Sequence, residues 1–545
     1  MLRELITLLN GGQPPRPDEI PDLSGRALAV AAVLGLVLLL VGVVLFLPVV
    51  QSLGYLAVVA TPSLVWWTGI GLLVLVVGVA VGGARATTAG VTLGLGIVVV
   101  MGLFVGPVVG GIYAHEHTAD AMQANVQTVD TLPNSSKAHT RVLPRQVGDK
   151  YAQSSMQFPQ YRTTESDITY TNDTYTWSYG LAPDNPMVAW LGTQHGAVYV
   201  DMEQSEKRVS VRETEFTHGV GQVFTDSFGY RTNLDRLDVN HQPDTRFVFE
   251  QDGEAYLAQS YVTHEWQFKL FPLPQLYAVP HFGGVQVVDQ DGSIRDIPAK
   301  KVASVDLLNG QSVYPYSLVR YKVNSMKYKQ GALNKWFWKE GVLEMADLPA
   351  DGNDWPVTVP TESDDSPELT HYVATEPTGS GSGVYEVWTF DGQTGAAAIK
   401  RYDDAQIGPQ KATKFIRQHK DVARLNNVEA VEPVPVVRGD TLYWQVKVIP
   451  DSSNGLTYTG FVNANSGKTI LVSKTNKVRA FVTGSDVNIT DRNETDSGGS
   501  GTSVRLVVTD GEGTVVRRSN VTVPVNGSVN INVSNSGEKT VRPNG

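Results

Sequence analysis

The segment nearest to a catalytic motif is Asp496-Ser497-Gly498-Gly499, where a serine stands between an acid and two glycines. A nucleophilic serine needs a base within hydrogen-bond reach and a third group to orient that base. No His and Asp frame this serine, and Thr495 stands where such a motif carries glycine. The setting is the Gly/Ser run Asp496 to Gly501, which reads as a flexible linker. A linker does not hold a nucleophile to the tolerance that proximity catalysis demands. The run Gly379 to Gly383 is no better, because glycine occupies the position a nucleophile elbow reserves for its serine.

Metal chemistry has three candidates. His115-Glu116-His117 with Asp120 places His117 and Asp120 on one helical face, but no third ligand is indicated, so a solvated face is expected. His264-Glu265 lacks the second histidine of a zinc-protease helix. Asp289, Asp291 and Ser293 offer oxygens to Ca²⁺ without the full acidic set, and a plain hairpin turn is the better reading. The chain contains no cysteine, which removes disulfides, thiol catalysis and thiolate metal sites. No glycine-rich phosphate loop occurs. Lys335-Trp336-Phe337-Trp338-Lys339 suits either a partner patch or, preferably, a half-buried amphipathic segment. The expectation is therefore a protein that is not an enzyme, with no catalytic residue, no cofactor and no metal.

The elements that carry these residues begin with a membrane anchor. Ala27 to Ala84 contains no charge, and after Arg85 none recurs until Glu116. Roughly 20 apolar residues cross a bilayer, so the two blocks predict three spans: 27–47, 63–83 and 88–113. A charge-free loop is expected over Gln51 to Pro62. Arg3, Arg16, Arg26 and Arg85 all lie before or between the spans, and basic residues stay in the cytoplasm. The N-terminus is thus expected inside and everything from Ala114 outside. Residues 1–26 read as a short amphipathic helix and a proline-rich spacer; a cleaved signal peptide is not expected.

Within the third span Gly90, Gly94, Gly102, Gly106 and Gly110 are separated by multiples of four, and Gly78 and Gly82 lie in the second. Small residues at this spacing let helix backbones approach, so Gly102, Gly106 and Gly110 are expected to pack a helix, within the chain or between copies. The spans carry no ionisable group, which argues against a transporter. Asn-x-Ser/Thr acceptor sites occur at Asn134, Asn172, Asn488, Asn493, Asn520, Asn526 and Asn532, all after the spans, as glycosylation of an exported surface requires. With 44 basic and 55 acidic residues the net charge is −11. That balance disfavours nucleic acid as a partner.

Beyond Asp130 short apolar strands, an Asp or Asn, and a glycine-containing turn recur, as at Val285 to Ser293, Val384 to Gly395 and Gly460 to Lys468. One helix stands out, with Ala412, Phe415, Ile416, Val422 and Ala423 on its apolar face. It is followed by strands at Val434 to Val437 and Leu442 to Ile449. The helix Ala412 to Val422, the strand Tyr443 to Ile449 and Phe461-Val-Asn-Ala-Asn-Ser-Gly467 together resemble the PepSY module, with Asn463 in place of the usual Asp. The turn Asp391 to Gly395 is a candidate earlier, partial copy. The resemblance implies a non-catalytic α+β module of membrane-anchored or secreted proteins with interaction or inhibitory roles. Composition as a whole resembles envelope proteins of halophilic archaea and their mobile elements.

The expected fold class is an α-helical anchor of three spans followed by a large α+β, mostly β, extracytoplasmic region that ends in a small all-β module. The expected divisions are 1–26 cytoplasmic, 27–113 membrane, 114–405 β-rich, 406–478 PepSY-like, and 479–545 linker and β module. The expected function is a structural or interaction role at the outer surface of a cell, vesicle or virion. Its expected partners are the lipid bilayer and another protein, or a second copy bound through the spans. A secretion or conjugation component, or an envelope hydrolase, is the alternative.

Overall fold

The computed structural model describes residues 25–349, 354–362, 367–379, 383–451, 455–484, 501–509, 515–524, 528–531 and 541–544. It divides into two compact units, 1–485 and 486–545. The expected amphipathic N-terminal helix and spacer lie outside the described residues.

The first unit opens with three apolar helices: α1 (Gly25–Leu45), α2 (Leu47–Val81) and α3. Helix α3 runs as α over Ala84–Ile97, as π over Val98–Val105 and as α again over Gly106–Asn125. Two helices, Leu47–Val81 and Arg85–Asn125, are long and apolar enough to cross a membrane. Only 11 % and 17 % of their most apolar stretches are buried within the protein, where the core helix of a soluble domain would be mostly covered. The expected loop Gln51 to Pro62 is a correction: it is helical, forming the first part of α2. Its backbone bonds stay within the helix, and the side chain of Gln51 turns outward to the carbonyl of Val239. Gln51 and Pro62 are buried but most side chains between them are exposed, Leu53 at 63 % and Leu56 at 64 %, so the absence of charge marks an uncovered apolar helix rather than a turn.

The four-residue glycine spacing acquires a physical reason. In an α-helix such residues drift by about 40° per step. The π turn takes up more residues per revolution and so helps hold Gly90, Gly94, Gly102 and Gly106 toward α2. Pro107, at the start of the final α segment, has no N–H to donate, which suits the junction.

The β body contains four antiparallel four-stranded meanders, each preceded by a helix; Tyr161–Thr163 extends the first to a five-stranded sheet, and Leu343–Met345 and Gln127–Thr128 extend the third to six. In the first module α4 (Arg145–Ser155) precedes strands Asp167–Thr171, Thr174–Pro183, Ala197–Asp201 and Val209–Arg212. In the second, α5 (Phe228–Asp235) precedes Asn240–Gln251, Glu254–Lys269, Gln275–Val288 and Ile294–Pro298. In the third, α6 (Tyr316–Ser325) precedes Val357–Thr361, Glu368–Pro377, Val384–Asp391 and Ala397–Gln406. In the fourth, α7 (Pro409–Gln418) precedes Val428–Arg438, Thr441–Pro450, Tyr458–Asn463 and Thr469–Val472.

The turn after each third strand is built alike. Asp201 Oδ1 accepts the N–H of Glu203, Asp289 Oδ1 that of Ser293, Asp391 Oδ1 that of Thr394, and Asn463 Oδ1 those of Asn465 and Ser466. A short acceptor side chain closes the turn on its own backbone, and Asn serves as well as Asp. Asp289 is thus occupied by its turn, and Asp291 takes no part in that bond.

Helix α7 is shorter than expected, ending at Gln418 instead of Val422. The helix Thr475–Val482 runs across the expected boundary at 478, with Phe481 stacked 4.0 Å from Phe461 of the fourth sheet. The second unit, by itself, shows strands Gly501–Thr509 and Val515–Pro524 paired antiparallel, and Ser528–Ile531 paired with Val541–Asn544.

Candidate functional site

Two places gather polar side chains with geometry that the sequence did not disclose. The first is the joint between the helices and the body. Gly71 and Gly94 face each other so closely that a Cβ on either would lie under 3 Å from the other's carbonyl oxygen, and Gly78 meets Gly90 likewise at about 3 Å. Gly102 lies against Leu64 and Trp67, Gly106 against Ser63, and Gly110 against Tyr277 of the second module. These contacts are within one chain. Helix α3 then enters the body, where Ala119 and Met122 join the main core with Leu318, Val319 and Trp388. The chain leaving α3 adds Gln127–Thr128 as a parallel edge strand beside Ala398 and Ile399.

Polar bonds fix the same joint. Trp67 Nε1 donates to Gln275 Oε1 at 2.7 Å, Tyr113 OH donates to the carbonyl of Leu273, and Lys269 pairs with Glu116 at 2.7 Å. His115 stacks between Tyr321 and Tyr328 and bonds Ser325, while His117 approaches Tyr277. Burial pushes the His115 imidazole down to about 4, so it stays neutral. His115 and His117 are therefore packing groups on different neighbours, and among the described residues no three of His, Asp and Glu come together to hold a metal.

The second place is a cleft where the first three modules meet. One cavity of about 580 Å³ is lined by Arg145, Arg162, Arg246, Asp149, Glu165 and Tyr179, among others. A second of about 580 Å³ shares Arg145, Glu165 and Ser166 with it and adds Arg141, Asp167, Asp244, Tyr316 and Arg320. Arg320 is neutralised by Asp244 at 2.7 Å. Burial pushes the Asp167 carboxyl up to about 7, against the Tyr316 hydroxyl and the Ile168 N–H that both donate to it. The Asp149 carboxyl is likewise raised by burial, with Tyr179 OH donating to it. Two acids of the cleft are thus biased toward their neutral forms, while Arg145, Arg162 and Arg246 line it together with Glu165, and Arg162 lies 4.0 Å from Asp184.

Behind the cleft a buried ionic cluster ties the first, third and fourth modules. Glu432 sits in a bulge between Val431 and Val434 with φ of +51°, an uncommon conformation for a non-glycine residue. The bulge aims its carboxylate at Arg141 (2.6 Å) and Lys447 (3.7 Å). Arg141 also donates to the Thr358 carbonyl and lies over the Trp177 ring. Lys447 is fully buried, and the loss of water pulls its ammonium down to about 7.

One pair resembles a nucleophile with its base: Ser312 Oγ lies 3.2 Å from His371 Nε2. The other ring nitrogen meets the Thr358 hydroxyl instead of a carboxylate, and burial pushes the imidazole down to about 3. Both side chains are walled in, at 2 % and 0 % exposure, so no substrate carbonyl reaches them.

Of the expected acceptor sites, Asn134 and Asn172 are exposed, Asn172 at a hairpin tip with φ of +51°. Asn520 lies in strand Val515–Pro524 opposite Arg505. Asn488, Asn493, Asn526 and Asn532, like Ser497, fall outside the described residues. His264 and Glu265 lie on the extended strand Glu254–Lys269, not on a helix.

The cleft arginines were missed because they come from separate segments with no motif. Their one sequence signal is that Arg145 and Arg162 flank a helix of an otherwise acidic body. Neither the models of known protein families nor the curated proteins give a match to this chain.

Proposed function

We propose that this is a membrane-anchored envelope protein whose β body has a structural or interaction role at the outer surface of a cell, vesicle or virion. The observation that carries the reading is the joint: α3 runs from the apolar hairpin straight into the main core of the body. The Trp67–Gln275 and Glu116–Lys269 pairs lock that passage. An anchor built this way holds its cargo at a fixed attitude, which suits a scaffold or docking surface more than a tethered, freely moving catalyst. The N-terminus and Arg85 are cytoplasmic in this reading, and the body is extracytoplasmic.

The interaction surface in this proposal is the arginine-lined cleft, and its ligand is an acidic stretch of a partner protein. Guanidinium groups bind carboxylates with two parallel bonds, and Arg145, Arg162 and Arg246 border one cavity. The fourth module is proposed to be PepSY-like. Its support is a helix seated on a meander, with Ile416 of α7 touching Gly460, and an Asn463-capped final turn. That reading assigns it packing and interaction, not catalysis. A photo-crosslinking residue at position 162 in intact membranes tests the proposal. A protein adduct rich in Asp and Glu, lost on Arg246→Ala, is expected. Adducts that are indifferent to Arg246→Ala would contradict it.

A further inference from the structure

Two loops of the body end beside the helices with large apolar side chains uncovered. The first is the tip Leu270 to Pro274, between strands Glu254–Lys269 and Gln275–Val288. Phe268 packs 4.9 Å from Trp66, and the Tyr113 hydroxyl bonds both the N–H and the carbonyl of Leu273. The tip is therefore pinned at the height of Trp66 and Tyr113, with Phe271 75 % exposed beyond it.

The second loop is the π turn Asn334–Trp338. It is held at nearly the same height, because Ala332 N–H donates to Glu116, one helical turn from Tyr113. Trp338 is 70 % exposed and Phe337 72 %. The expected half-buried amphipathic segment is therefore open. Lys335 and Lys339 flank the aromatics, and Lys269 sits over the Tyr113 ring.

The far end of the helices sets the scale. From Arg85 to Gly106 the chain rises roughly 30 Å at about 1.5 Å per residue, the thickness of a bilayer's hydrocarbon core at ~30 Å. Tyr113, which holds the first loop, lies about 10 Å beyond Gly106, so placing Arg85 at one headgroup surface of a bilayer ~40–45 Å thick overall puts Tyr113 and the two loops at the other.

We propose that the loops 270–274 and 334–338 insert into the headgroup boundary of the bilayer that α2 and α3 cross, as a second, non-spanning attachment. The proposal rests on the reading of these helices as membrane spans. Lipid is the occupant because the loops continue the apolar surface of the helices at a single level. They also carry the aromatic and lysine residues that favour the interface, with anionic headgroups preferred. Two loops beside the helix pair fix the tilt of the body over the membrane.

The chain contains no cysteine, so a single spin label reports one site. The full-length protein is reconstituted in vesicles of phosphatidylcholine and phosphatidylglycerol. Labels are placed through Phe271→Cys, Trp338→Cys, Leu73→Cys in α2 and Trp190→Cys on the body. Collision rates with oxygen, which prefers lipid, and with a water-soluble nickel chelate are compared. Leu73 is expected deep in lipid, Phe271 and Trp338 shallow in lipid, and Trp190 in water. Water-like values at 271 and 338 with Leu73 in lipid would overturn the loop insertion and leave the spans standing. Protection of 271 and 338 from both reagents would assign the loops to a second protein surface and overturn it as well. Water-like values at Leu73 would remove the spans themselves, and the insertion with them.

Discussion

A Cβ placed on Gly94 would lie 2.7 Å from the carbonyl oxygen of Gly71, so the backbones of α2 and α3 are in contact at that point. Neither helix can retreat alone, because Gly78 and Gly90 meet one step further along. Gly94→Ala is expected to lower stability in detergent by on the order of 1–3 kcal/mol, the usual cost of overpacking. Gly106→Leu acts in the same direction against Ser63. Gly96→Ala, two residues away with nothing within 4 Å, is expected to leave the thermal midpoint unchanged. Equal midpoints for Gly94→Ala and Gly96→Ala would mean the helices do not touch there.

The Arg141–Glu432–Lys447 cluster is asymmetric, and its variants separate. Glu432→Gln leaves two buried cations without their anion and is expected to cost about 3–5 kcal/mol. Lys447→Met keeps the 2.6 Å Arg141–Glu432 pair and removes a buried amine, so stability at pH 7 is expected to hold or rise. The pH dependence supports the assignment. With the folded Lys447 near 7 and the unfolded one near 10.5, the unfolded chain binds the extra proton between those values. Stability from this group therefore rises as pH increases from 7 toward 10.5. Denaturant titrations should show that rise in the parent and lose it in Lys447→Met.

Asp167 carries the opposite sign. Its folded value near 7 lies above the ordinary 3.8, so the folded protein holds the extra proton between those values, and stability from this group falls as pH climbs from about 4 to 7. Asp167→Asn keeps an oxygen for the Tyr316 hydroxyl and is expected to gain a few kcal/mol over the parent at pH 8. At pH 4 the advantage should disappear. A constant difference across that range would place the Asp167 carboxylate in contact with water.

In the fourth module, a methyl on Gly460 would collide with the Ile416 side chain. Gly460→Ala should destabilise the body, and Ile416→Val in the same chain should recover part of the loss. Additive losses in the double variant would show that α7 is not seated on that strand.

Much of the architecture was legible because its signals are local. Val384 to Gly395 announces a strand, an Asp-capped turn and a positive-φ glycine within a dozen residues, and Gly460 to Lys468 does the same. What was illegible depends on distance along the chain. Gln51 to Pro62 lacks charge yet continues as helix into α2, and composition does not distinguish an apolar helix from a charge-free loop. The cleft assembles Arg145, Arg162 and Arg246 from separate elements, and Glu432 reaches Arg141 across 291 positions. The exposed Trp336 to Trp338 read as half-buried because an apolar run carries no mark of whether the protein covers it.

The central claim is that the body stands outside the membrane that its helices cross. It is tested most directly by single cysteines in the cysteine-free chain and a maleimide that does not pass membranes. Glu206→Cys, in an exposed turn of the body, is predicted to label on intact cells. Arg85→Cys, at the start of α3, is predicted to label only after permeabilisation. The reverse pattern, with Arg85→Cys labelled first and Glu206→Cys protected until lysis, would contradict the account.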